Sequence, residues 1–210
     1  MSLIINCPLP DAIPNGVETD CPEIFGQISK IAFQKIQSAP SFTKTTVGLK
    51  ATWTPLLTAV GDTKVVLSPL ISNFVIPASA LLSEGGNDNT TINGIRNVRG
   101  LGTVTATGIL KNITALTKKA IQDLFPFTKA PAPGITLLWA YFITTDGKVI
   151  CKSNGEGFPV YNLALTDPKL EGFNKDNDFD LSLDMEGGWS DDFMTVHTDF
   201  KPMTFKNPVA

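Results

Sequence analysis

Residues 178–185 read Asp-Phe-Asp-Leu-Ser-Leu-Asp-Met, a strict alternation of polar and apolar side chains. A period of two is the repeat of a β-strand, whose successive side chains point to opposite faces. Phe179, Leu181, Leu183 and Met185 therefore share one face, which needs a core. Asp178, Asp180 and Asp184 share the other, with neighbouring positions about 7 Å apart. A chain that contains this strand needs a sheet to hold it and a second layer to cover its apolar face.

Several other segments fit the same reading. Ile24, Ile28, Ile31 and Phe33, with Gln27, Lys30 and Gln34 between them, fit a short amphipathic helix or a strand alternating at Ile31, Phe33 and Lys35, and the β-branched residues and Phe favour the strand. Residues 43–53 alternate roughly, are rich in Thr, and read as a strand or extended edge. The short apolar runs at 65–67 and 74–76 stop at Pro69 and Pro77. Residues 103–110 read as a strand whose glycines mark bulges or close backbone approach. Residues 135–143 are apolar on both faces, which fits a central strand covered on two sides. Asp146-Gly147 fits a two-residue type I′ turn into a returning strand at 148–152. After Gly187-Gly188, residues 192–200 read as the hairpin partner of 178–185. Residues 81–102 carry no strong pattern, and 83–89 are a loop by composition.

The helical pattern is confined to residues 113–125. Ile113, Leu116, Ala120, Ile121 and Leu124 fall on one face, with Asn112 as N-cap and Pro126 as terminator. Residues 1–22 carry Pro8, Pro10, Pro14 and Pro22 and read as an extended arm, with a disordered terminus as the alternative. The expected architecture is mainly β, a sandwich or barrel of antiparallel strands with one amphipathic α-helix packed on it. It forms a single domain over 23–210, preceded by the arm.

The function classes that the sequence disfavours are clear. His197 is the only histidine, so no two-histidine zinc motif can form, and no G-x-S-x-G elbow is present. We expect no enzyme, no catalytic residues, no cofactor and no metal. Asp176, Asp178 and Asp180 imitate the start of a calcium loop, but Leu181 stands where Gly is needed and Gly187 where the bidentate Glu belongs. Gly100-Leu-Gly102 precedes a strand rather than a helix, which is the wrong context for a dinucleotide fingerprint. Cys7, Cys21 and Cys151 are too few for a disulfide framework, and Cys151 fits a core position. No apolar stretch is long enough to span a membrane, and the first residues lack the pattern of a signal peptide.

Charge is more telling. Only 18% of residues are charged, which suits a chain that buries surface against copies of itself. Residues 167–199 hold ten acids and two lysines, whereas the only two arginines, Arg96 and Arg99, lie together in a Gly-rich stretch. Segregated charge of opposite sign suits head-to-tail association. Among the tryptophans at 53, 139 and 189, Trp139 fits a monomer core. Trp189, at a glycine turn, is the better interface candidate.

A proline-rich arm, short strands, one mid-chain amphipathic helix and further hairpins resemble the tail tube fold. That fold is shared by major tail proteins of long-tailed bacteriophages and related injection-system tubes. The run Cys21-Pro22-Glu23-Ile24-Phe25-Gly26-Gln27-Ile28 is similar to the start of virion proteins from phages of Bacteroidota. The resemblance implies a viral structural protein, made in the bacterial host cytoplasm and resident in the virion. It implies hexameric rings whose inner sheets join into a barrel, and which stack through loops and an arm. It implies other virion proteins as partners, no membrane, and weak, non-specific passage of DNA through an acidic lumen. Asp178, Asp180 and Asp184 would line that lumen or an outer face, and Arg96, Arg99 and Trp189 would lie at subunit contacts. The competing expectations are a head decoration, tail terminator or baseplate protein, or a carbohydrate-binding, adhesin-like β-sandwich.

Overall fold

The computed structural model describes residues 26–37, 40–86, 95–128, 136–169 and 176–208. The arm expected over 1–22, with Cys7 and Cys21, and the stretch 129–134 lie outside these residues.

The two-sided apolar run is a central strand. β7 (Leu138–Thr144) is buried at all seven positions. β1 (Ile28–Lys35) pairs along one of its edges. β8 (Lys148–Cys151) and β9 (Phe158–Pro159) share the other. With β2 (Val65–Leu67) and β12 (Met194–His197) they form a first antiparallel sheet, in the order β12-β8-β7-β1-β2. The second sheet runs β10-β11-β6-β3, from β10 (Tyr161–Leu165), β11 (Asp178–Met185), β6 (Val104–Lys111) and β3 (Ile71–Val75). A separate two-stranded hairpin joins β4 (Leu81–Glu84) to β5 (Asn97–Leu101).

The first sheet is the middle layer, because both of its alternating side-chain sets are apolar. Ile31, Phe33, Ala140 and Phe142 meet Ala106, Leu110, Leu181 and Leu183 of the second sheet. Ala32, Trp139, Tyr141 and Ile143 point the other way. They meet Phe42, Phe200, and Trp53 and Leu57 of the helix α1 (Lys50–Thr58). The second sheet keeps only one apolar face, so β11 alternates between buried and half-buried positions as its sequence demands. Gly108 of β6 marks a close approach: a Cβ there would stand 2.6 Å from Ile71 and 2.7 Å from Phe74.

Four local expectations change. Residues 43–53 form a turn that leads into α1 rather than a strand. Trp53 and Leu57, four residues apart, dock on the first sheet, and this packing outweighs Pro55 inside the helix. The cap of α1 is non-local: the Asp199 carboxylate accepts from the Lys50 backbone N–H at 2.5 Å. The mid-chain helix is shorter than expected, as α2 (Ala115–Gln122). Thr114, not Asn112, caps it, accepting from the Thr117 backbone N–H at 3.2 Å. Asn112 instead takes a φ of 50° and bonds Asp176 at 2.7 Å. Residues 192–200 do not pair with β11, because β12 crosses to the first sheet and pairs with β8. Finally, Gly147 takes a positive φ of 83° but Asp146 takes none, and the Gly147 N–H bonds Thr144 O at 3.3 Å. That is a three-residue loop, not a type I′ turn, which needs both central residues at positive φ.

Candidate assembly surface

The strand edges of the sandwich are mostly blunted. β3 and β10, the edges of the second sheet, each carry an Asn in the left-handed region, Asn73 at φ 51° and Asn162 at φ 49°. Their register slips at these points. Such bulges interrupt the row of groups that a further strand would need. At β2 the closure is chemical. The outward backbone N–H of Leu67 donates to Asn207 Oδ1 at 2.9 Å, and its C=O accepts from Asn207 Nδ2 at 2.8 Å. One side-chain amide thus takes the place of a neighbouring strand.

The β4–β5 hairpin lacks such protection. Every residue of β4 is exposed, and β5 is exposed except at Gly100. Among the described residues, eleven large apolar side chains are exposed, and Leu81, Leu82, Ile95, Val98 and Leu101 of this hairpin are five of them. Arg99 is the extra residue of a bulge between Leu82–Gly100 and Ser83–Val98. It forms an ion pair with Glu84 of the same hairpin, so it has a partner inside its own subunit. Both groups are well exposed, and such a pair contributes little to stability. Arg96 is exposed beside Gly86.

The base of the hairpin rests on the turn after β11. A Cβ at Gly187 would stand 2.4 Å from Leu101 O, so only glycine fits. Trp189 follows. It is half-buried, edge-on to Phe158 at 5.7 Å and 6.2 Å from Phe193. It lines an apolar groove of about 430 Å³ with Ile28, Phe74, Ile76 and Ile150. The structure therefore brings Trp189 and the hairpin base to one end of the molecule. Trp189 sits on a crossing between sheets rather than at a hairpin tip. Trp53 is fully buried in the core.

The acidic row lies on the outer face of the second sheet and runs from the Lys111 end of β11 toward its hairpin end. Asp178, Asp180 and Asp184 are half-buried, and Asp178 and Asp184 face Lys111 and Thr105 across β6. Asp184 accepts from Thr105 Oγ1 at 2.6 Å and Asn162 Nδ2 at 2.8 Å. Asp180 pairs with Lys169 at 2.6 Å. Asp178 Oδ1 has no hydrogen-bond partner among the described residues. Neutral donors surround Asp184, so its charge stays on the face, whereas the charge of Asp180 is matched. Asp176 is held by Asn112 at 2.7 Å and by Lys111 at 3.4 Å, and these two hold its carboxyl below the usual range. A lysine ammonium thus stands against both ends of the calcium-like triplet. Among the described residues no three His, Cys, Asp or Glu side chains converge as metal ligands.

His197 is exposed on β12. Cys151 is buried in the core, and burial pushes its thiol up to about 12, which keeps it unreactive. No described helix is long and apolar enough to cross a membrane. No protein-family model matches the chain, and a search of curated proteins finds no relative.

The sequence reading missed a basic cavity at the opposite end from the hairpin. Lys30, Lys111 and Lys206, with Ser68, Ser72 and Asn207, line a space of about 570 Å³. Lys30 is almost wholly buried, and its Nζ donates to Phe205 O. Burial, then the charge of Lys206, lowers its pKa. The available signal was a lysine inside the otherwise apolar stretch Ser-Lys-Ile-Ala-Phe.

Proposed function

We propose that this chain is a structural subunit of a phage virion, the tail tube protein that assembles into stacked hexameric rings around a DNA conduit. The observation that carries the reading is the β4–β5 hairpin, which displays Leu81, Leu82, Val98 and Leu101 to solvent while the neighbouring sheet edges are blunted. A clustered apolar surface on a projecting element marks a contact with another protein. The β-sandwich with a peripheral helix and the low charged fraction support the same reading.

The function is mechanical, not enzymatic. The folded subunit supplies one sector of a wall. Its outward acids, Asp184 above all, face the conduit and repel phosphate, so that DNA passes without adhering. Lys111 and Lys169 on the same face temper that repulsion. The test is negative-stain electron microscopy of the purified protein across salt and concentration. Stacked rings with a central hole are expected. Isolated rings that never stack would point instead to a terminator or decoration protein, and a monomer under all conditions would overturn the reading.

A further inference from the structure

The second sheet has two chemically opposite ends. β6 and β11 pair over eight residues, from Lys111–Asp178 to Val104–Met185. At about 3.3 Å per residue, the two ends stand roughly 25 Å apart. Beside the Lys111 end lies the cavity lined by Lys30, Lys111 and Lys206, with no acid in its lining. Beyond the Met185 end lies the turn that carries Glu186, Asp191 and Asp192, around a small hollow with Lys152 as its one basic lining residue.

We propose that the lysine cavity receives the acidic turn 186–192 of a second copy, in a head-to-tail contact that repeats from subunit to subunit. The inference rests on the tube reading and names the surface that such a tube would use.

Three observations support it. First, the charges are unsatisfied where the contact needs them. Among the described residues Asp191, Asp192 and Lys206 enter no ion pair, and all three are exposed. Glu186 accepts only a neutral donor, the Tyr161 hydroxyl, at 2.5 Å. Second, the cavity holds cations close together at a cost. Lys30 is buried near Lys206, and an incoming carboxylate would relieve both the desolvation and the repulsion. Asp176 answers Lys111 from 3.4 Å, so the deficit falls on Lys30 and Lys206. Third, the two surfaces are different and lie at opposite ends, so an end-to-end contact leaves one of each kind free on the resulting pair. A heterologous contact of this kind propagates into a ring or a filament.

The pairing also replaces an earlier expectation about the source of positive charge. Arg99 is matched by Glu84 within its own hairpin, whereas the lysine cavity is not matched by any acid that lines it.

Charge exchange tests the inference. Lys206→Glu and the pair Asp191→Lys/Asp192→Lys alter exposed side chains, so neither is expected to lower the melting temperature. Each reversal should raise the protein concentration needed for assembly by about tenfold or more at low salt. The chain that carries all three substitutions sets the new acid of the cavity against the two new bases of the turn, with Lys30, Lys111 and Glu186 unchanged, and should recover at least about threefold of the assembly that either reversal loses. Sedimentation velocity gives the readout. If the natural chain assembles and the reversals have no effect, the inference fails and the tube reading stands. If each reversal blocks assembly but the triple variant does not recover, the two surfaces are not partners and the inference again fails. A natural chain that remains monomeric overturns the tube reading and this inference with it.

Discussion

β7 and β4 are both short antiparallel strands with leucine at their start, yet their circumstances are opposite. β7 has partners on both edges and cover on both faces, and each of its seven residues is buried. β4 has one partner, no cover, and no buried residue. An isolated two-stranded hairpin is at best marginally stable in water, so β4–β5 adds little to the stability of the subunit. The difference separates two uses of the same local structure. The sandwich holds the fold together, whereas the hairpin leaves its apolar side chains exposed.

Three variants would sharpen or break that contrast. The largest effect is expected at Phe142, which is fully buried and stacks on Phe158 at 5.7 Å. Phe142→Ala should cost about 3–5 kcal/mol in urea unfolding. A cost below about 1 kcal/mol would show that the middle layer does not carry the stability. Next comes Asn207→Ala, which removes both bonds to Leu67 and leaves its outward backbone groups unmatched. About 1–2 kcal/mol should be lost, with increased self-association through β2 in light scattering. The smallest change in stability is expected for Leu82→Ser combined with Val98→Ser, within about 0.5 kcal/mol of the natural chain. Assembly, by contrast, should be lost in electron micrographs. A large destabilisation with assembly intact would invert the comparison.

What could be read in advance was what depends on local pattern. The alternation of residues 178–185 and the two-sided apolar run of β7 each report their own environment, so both strands were legible. The cap of α1 comes from Asp199, 149 residues away, and no local pattern carries that information. The crossing of β12 to the first sheet is equally non-local, since the same Met-Thr-Val-His alternation would suit either partner. The hairpin escaped because its strands have no buried face to impose alternation. Of the candidate site, the alternation placed the acidic row on the outward face of β11, whereas Trp189 is half-buried on a crossing between the sheets. The lysine cavity was not legible, because Lys30 joins Lys111 and Lys206 only once the sheets are packed.

The contacts that close the first sheet have a consequence for how the protein is made. Lys30 is held by Phe205, 175 residues later, and Leu67 by Asn207, 140 residues later. Both strands they complete leave the ribosome long before residues 205–207 are made. A nascent or prematurely terminated product therefore carries an open β2 edge and an unanchored buried lysine. Its first sheet is unfinished until translation has passed residue 207, so the Leu67 edge stays open while the chain between Leu67 and Asn207 is made.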